Sequence, residues 1–445
     1  MSLHGSVRAA PLALLATVFL YAPPLAAQET PDSVRVEMAR LRARLDSLEI
    51  LVRRLQAEGR EPEAQDALAR LREAAAAAAG SARADSAAGA DAAAPVSASR
   101  QRSLQALNPE ISINADILGH LDPDNANGNN FIPREFEFSF QSALDPYSRA
   151  KIFLAHHTHG PELVAFPEEE GGEEEEGGLE IEEGYVEWVG LPAGVGLKLG
   201  KFFQRFGALN RWHEHALPFQ NRSLPHQAFI GEEGLSQAGA SLNWILPVHG
   251  LGAYDATVEV TRSSNEPLFG TNNELSYLGH LNGFWELGAA SDVDLGVSWL
   301  HGRYEDDVVA MDRDLVGVEA AYTWRPPARS RYRELVVRGG ATVLDGLVPD
   351  EAAAADDRAV GLWSLAELRL NQRWLVGGRV DRVENPLDTS ESAWLASTTL
   401  TWWQSEYVRL RLEYDLLGRS FMEDDDGRLW FQVTFAMGPH KHETY

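Results

Sequence analysis

The sequence predicts an all-β transmembrane barrel of about sixteen antiparallel strands, preceded by an N-terminal α-helical coiled-coil segment. Three observations predict it. Residues 407–437 alternate with period two: Val408, Leu410, Leu412, Tyr414 and Leu416 against Arg409, Arg411, Glu413 and Asp415, then Leu429, Phe431, Val433, Phe435 and Met437 against Arg428, Trp430, Gln432 and Thr434. Such alternation puts one set on each face of a strand. Segments of similar pattern and roughly ten residues, the length a membrane strand needs, recur from Ile111 onward. The connections between them also sort by parity, short turns alternating with long polar loops, as they do in bacterial outer-membrane barrels. A soluble sandwich has no reason to sort its loops this way.

The strands are expected at 111–120, 136–144, 150–156, 184–190, 196–206, 235–246, 253–261 and 275–287, then 293–303, 315–324, 335–343, 360–370, 374–382, 394–403, 407–416 and 429–437. Short connections fall at 145–147, 191–195, 247–250, 291–292, 371–373 and 404–406, with 325–331 a longer turn of the same parity. The long ones are 122–130, 157–178, 207–234, 263–274, 305–312, 345–357, 384–392 and 422–427. Trp188, Trp244, Trp285, Trp324, Trp374, Trp402, Trp403 and Trp430 lie near strand ends, where interfacial girdles form.

Residues 1–27 read as a secretory signal, with Arg8 in the n-region, an apolar stretch at 11–19 and Leu25-Ala26-Ala27 before the cut. Pro11, Pro23 and Pro24 leave too little room for a membrane helix. In residues 28–73, Val34, Met38, Leu41, Leu45, Leu48, Val52 and Leu55 follow alternating steps of four and three, a heptad seam expected to associate with other copies as a dimer or trimer. The alternative is a hairpin against residues 63–79. Residues 74–107 are an Ala-rich linker, and the barrel domain is expected over 108–445. The net charge of −27 and the absence of cysteine exclude a disulfide scaffold and argue against nucleic acid as a partner.

Opposite the apolar face lie residues expected to line a pore. Glu135, Glu137, Asp255, Glu259, Asp294, Glu319 and Glu334 dominate the earlier strands; Arg338, Glu367, Arg369, Arg379, Asp381, Arg409, Arg411 and Glu413 follow. So many charges in a dry core would be prohibitive unless paired, so water is expected along this face. The segment 207–234 is the longest loop and rich in apolar and aromatic residues. It is expected to fold inward as a constriction, with Arg211, Trp212, His213, His215, Arg222 and His226 as its polar and aromatic points. His213 and His215, with His157 and His159, could offer imidazoles to a divalent ion, although alternate residues of an extended chain point opposite ways. The glutamates of 168–176 read as a solvated run. No G-x-S-x-G, H-E-x-x-H or P-loop pattern occurs, and no catalytic residue is expected.

Residues 182–247 also carry a resemblance. Gly200-Lys201, Phe206-Gly207, Asn210, His213, His215, Leu217-Pro218 and Gly231-Glu232-Glu233-Gly234 with Ser236 resemble, in that order, a group of bacterial outer-membrane porin-like proteins. The group is similar in form to phosphate-selective porins and is often labelled as zinc-regulated outer-membrane receptors. The resemblance implies a barrel in the outer membrane, in contact with its lipid, with the N-terminal segment in the periplasm. The expected function is passive diffusion of small solutes or ions with a preference for cations, and no cofactor beyond weak zinc binding. The alternatives are an envelope tether working through the coiled coil, and divalent-metal capture and uptake.

Overall fold

The computed structural model describes residues 109–122, 130–158, 165–166, 178–248, 252–306, 308–347 and 358–438. The signal, coiled coil and linker expected within 1–107, the glutamate run and His159 lie outside the described residues.

Sixteen strands form the barrel. They are β1 Glu110–Leu121, β2 Asn130–Ala143, β3 Ser148–His157, β4 Leu179–Leu191, β5 Val195–Phe203, β6 Ser236–Leu246, β7 Ala253–Arg262 and β8 Leu275–Gly288, then β9 Ser291–Glu305, β10 Ala310–Trp324, β11 Glu334–Asp345, β12 Arg358–Arg369, β13 Trp374–Glu384, β14 Ser392–Trp403, β15 Val408–Arg419 and β16 Asp426–Met437. Each pairs antiparallel with its sequence neighbours, and β1 closes on β16 with Ile113 opposite Met437 and Leu121 opposite Leu429. Closure leaves no unpaired sheet edge, the condition a strand-built span has to meet.

The apolar side of the alternation faces out. Leu281, Val297 and Val318 sit side by side across β8, β9 and β10, each about half exposed. At the short-turn end, strands are joined by tight connections. In one, Ala193 (φ 63°) and Gly194 (φ 75°) both take the left-handed region between β4 and β5. At the other end the connections lengthen, with one exception. The loop expected at 305–312 is only 306–309, because β9 and β10 extend upward and Asp306 Oδ1 accepts the Val308 and Val309 N–H groups, each at 2.7 Å.

The inward face divides into two zones. Near the long-loop end it is apolar: Leu278, Leu300, Leu315, Leu344, Val383, Leu395 and Leu417 pack with Leu224, Phe229 and Ile230 of the β5–β6 connection and Leu268 and Phe269 of the β7–β8 connection. The inward face is therefore wet only in part, and residues 263–274 form an inserted segment too, built on the short helix α2 (Glu266–Phe269). Trp430, expected in an outer girdle, is instead buried inside, its ring centroid 4.5 Å from that of His120. Toward the short-turn end the inward face turns polar and charged.

β2 starts at Asn130, ahead of the expected Phe136, and runs through Pro133. Proline cannot donate to the ladder, and the register shifts there, between Asp116 and Leu118 of the partner strand. A second shift, between Phe153 and Leu154, leaves Glu182 as the extra residue of β4. Each bulge re-aims the side chains beside it.

Candidate functional site: an inserted segment and its acidic–imidazole cluster

The chain between β5 and β6 enters the lumen rather than capping it. Its course is two 3₁₀ turns, Leu209–Arg211 and Glu214–Ala216, then the helix α1 (Leu224–Ile230). Gly207 (φ 68°) starts the inward turn, donating its N–H to Ser298 Oγ at 3.0 Å, while Ala208 N–H reaches Glu319 Oε2 at 3.0 Å. Pro225 lies in the first turn of α1, where a missing N–H costs nothing, and Gly231 (φ 99°) ends it. Leu217, Phe219, Leu224, Phe229 and Ile230 are almost fully buried, and each contributes about 1.5–3 kcal/mol relative to exposure. That is the physical reason the segment sits inside.

A backbone with so little regular structure needs partners for its amides and carbonyls. The barrel wall supplies them from opposite sides. Gln220 N–H donates to Glu413 Oε2 at 2.9 Å, and Leu224 N–H to Asp381 Oδ2 at 3.0 Å. Arg409 Nη2 donates to the His215 carbonyl at 2.5 Å, Arg411 Nη2 to the Leu217 carbonyl at 2.6 Å, and Arg205 N–H to Glu259 Oε2 at 3.1 Å. Arg134, re-aimed by the first bulge, pairs with Asp116 and donates to the Gln220 carbonyl. The residues expected along a pore therefore divide. Glu135, Glu137, Glu259, Arg379, Asp381, Arg409, Arg411 and Glu413 are buried against or beneath the inserted segment, so they hold it and do not face open water.

Asp255, Asp294, Glu319, Glu334, Arg338, Glu367 and Arg369 keep partial exposure on the β7–β12 wall. Five of them form local pairs: Arg205–Asp255 at 2.7 Å, Arg369–Glu334 at 3.4 Å and Arg338–Glu367 at 3.9 Å. Arg338 also stands over the Trp212 ring at 5.2 Å. Between the segment and this wall is a cleft of about 40 Å³, lined by Phe206, Leu209, Ser298, Glu319, Thr342 and Trp363, on the scale of a single water.

The histidines of the segment meet a set of carboxylates. His213 Nδ1 lies 2.8 Å from Glu137 Oε2 and 2.9 Å from Glu182 Oε2, and its Nε2 is 3.3 Å from Glu183 Oε2. His215 Nδ1 is 3.0 Å from Glu135 Oε1, and His157 Nε2 is 3.4 Å from Glu182 Oε1. The 3₁₀ turn at Glu214 brings the two alternate imidazoles to one side, with ring centroids 5.8 Å apart. This removes the objection that an extended chain would separate them. The bulge in β4 lets Glu182 and Glu183, consecutive in sequence, both reach His213. Burial opposes charge on the His213 and His215 rings, but the adjacent carboxylates outweigh it and raise both pKa values, that of His213 well above its ordinary value. His226, half-buried in α1 with its ring desolvated next to the Arg222 guanidinium, is driven well below.

Arg134, Glu182 and Glu183 were not among the residues expected to matter. The legible signals were a proline inside an otherwise regular strand and an acidic dipeptide that breaks the alternation.

No protein-family model matches the chain. It is 27% identical over 294 residues to an uncharacterized protein of Aquifex aeolicus (strain VF5), a match covering 56% of this chain and 60% of that one. The chain thus spans about three-fifths of that relative's length. Among solved structures, the high-pH form of Pseudomonas putida OprB aligns with a TM-score of 0.53 at 12% identity, over 76% of this chain and 96% of that one. The fold is that of the bacterial porins. The anion-selective porin of Comamonas acidovorans agrees, with a TM-score of 0.50 at 10% identity over 74% of this chain and 99% of its own. At such identities the likeness concerns the porin fold and does not extend to what passes through.

Proposed function

We propose that this protein is an outer-membrane porin through which small polar solutes or ions diffuse passively. One observation carries the reading: a closed barrel with an apolar outer band is crossed inside by a fixed segment, beside a wall of partly exposed, mixed charges. An apolar belt on a closed barrel is the surface that hydrocarbon accepts. A segment held from several strands sets the width of the passage, and charges of both signs next to it exclude apolar solutes. The net charge of −27 supports a preference for cations at the mouth, since a negative potential enriches counter-ions there.

The test is single-channel recording in a planar bilayer, with wild type beside a variant whose residues 208–233 are replaced by a short Gly/Ser linker. Small unitary steps that grow several-fold in the variant support the reading. Silence from both, with the barrel shown folded, removes it. Reversal potentials in asymmetric KCl then report the ion preference, and a shift toward chloride overturns the cation assignment.

A further inference from the structure

We propose that Glu137, Glu182 and His213, with Glu135 beside them, form a binding site for a first-row divalent transition-metal ion that clasps the inserted segment to β2 and β4. One potential ligand atom from each of these four residues lies within 4.8 Å of the other three. Around a tetrahedral ion with bonds of about 2.0–2.1 Å, ligand atoms stand roughly 3.3 Å apart, so the cluster is already close to the required spacing.

Within this cluster one buried carboxylate oxygen, Glu137 Oε2, lacks a donor. His213 Nδ1 makes its hydrogen bond to Glu182 Oε2, and Glu137 Oε2, fully buried and 2.8 Å from the same nitrogen, has no hydrogen bond. A ring nitrogen carries one N–H and can serve one carboxylate well, so a buried charged oxygen is left without a donor. An ion set between that oxygen, the nitrogen and Glu182 would satisfy all three at once. The outer groups are arranged as a metal site requires: His157 stands against Glu182 Oε1 and His215 against Glu135 Oε1, orienting the carboxylates from behind. Imidazole together with carboxylate suits zinc, manganese, nickel or ferrous iron. Calcium and magnesium prefer all-oxygen shells, and no thiolate is present to select copper(I).

The clasp lies beyond the channel reading and stands apart from it, since the ion bridges the segment to the wall whatever the barrel conducts. The test is metal analysis and calorimetric titration of the full-length protein in detergent micelles after chelator treatment, with ZnCl₂ as probe and CaCl₂ and MgCl₂ as controls. One zinc per chain is expected, with affinity falling at least tenfold in Glu137→Gln and in Glu182→Gln, near-isosteric changes that keep the packing, and unchanged in Glu367→Gln on the far wall. X-ray absorption of the zinc-loaded protein should show a nitrogen and oxygen shell without sulfur. Zinc should also slow protease cleavage within 208–233 in the wild type and not in Glu137→Gln. Absence of stoichiometric zinc, or equal affinity in Glu137→Gln and Glu182→Gln, overturns the site. Silent or conducting behaviour in the bilayer bears only on the channel.

Discussion

Arg379 of β13 holds Asn221 twice, its Nη1 donating to the carbonyl oxygen at 2.8 Å and its Nη2 to the side-chain oxygen at 2.6 Å. The same guanidinium lies 4.8 Å from the Phe219 ring and 3.5 Å from Asp381 Oδ2. Arg379→Ala removes the fork and leaves Asp381 buried without its cation, a change that costs about 3–5 kcal/mol. Faster protease cleavage within 208–233 and larger, noisier unitary currents are expected. Arg379→Lys keeps the charge but not the planar pair of donors, so it should fall between wild type and alanine. Unchanged protection in the alanine variant would show that the grip is dispensable.

Gly207 is where the chain turns inward, and a side chain there meets two obstacles. Its φ of 68° lies in the left-handed region, and an added Cβ would stand 2.8 Å from Glu319 Oε2. Gly207→Ala should therefore loosen the first dock of the segment by about 1–2 kcal/mol, from the backbone term alone. The expected readout is faster hydrogen exchange at Ala208, whose N–H donates to Glu319, with the barrel's melting behaviour nearly unchanged.

Val297 lies on the outer face between Leu281 and Val318. If that face meets hydrocarbon, Val297→Arg near mid-barrel costs about 2–4 kcal/mol of membrane stability. Folding into vesicles, followed by the heat-modifiable gel shift of barrels, measures it. Val297→Leu should behave as wild type. An arginine variant that folds as well as the leucine one would contradict the membrane assignment.

His226 gives a pH dependence with a defined sign. Its pKa is depressed in the folded state by burial and by Arg222, so the inserted segment keeps it neutral while the released segment takes up a proton near the ordinary value of 6.5. The released form binds more protons, so insertion weakens as pH falls below about 6.5, by up to roughly 1.4 kcal/mol per pH unit from this group. His226→Leu should remove that contribution and also the buried Nε2 that lacks a hydrogen bond. Comparing protease protection of the two proteins between pH 7 and 5 isolates the effect, and parallel curves would exclude it.

Barrel type, strand number and loop parity could be read in the sequence because period-two alternation and turn chemistry are local signals. Arg409, Arg411 and Glu413 alternate with leucines, and their inward orientation follows from that alone. What they touch did not follow. Their partners are amides and carbonyls of Leu217, His215 and Gln220, almost two hundred residues earlier, and no sequence pattern records a bond between a side chain and a distant backbone group. The inward course of 207–234 was legible from its density of apolar residues, whereas that of 263–274 was not, because Pro267, Leu268 and Phe269 are its whole apolar content. Bulges hid the acidic–imidazole cluster. Strict alternation would point Glu182 and Glu183 to opposite faces, and the extra residue in β4 points both inward.

The anchors of the inserted segment have a consequence for assembly. Arg134, Glu135 and Glu137 precede the segment, whereas Arg379, Asp381, Arg409, Arg411 and Glu413 all follow it in the chain. A nascent chain that has produced residues 204–235 holds a bolt with most of its keepers still missing. Full docking of the segment therefore requires that β13 and β15 are already in place, so the lock closes only with the barrel's last hairpins.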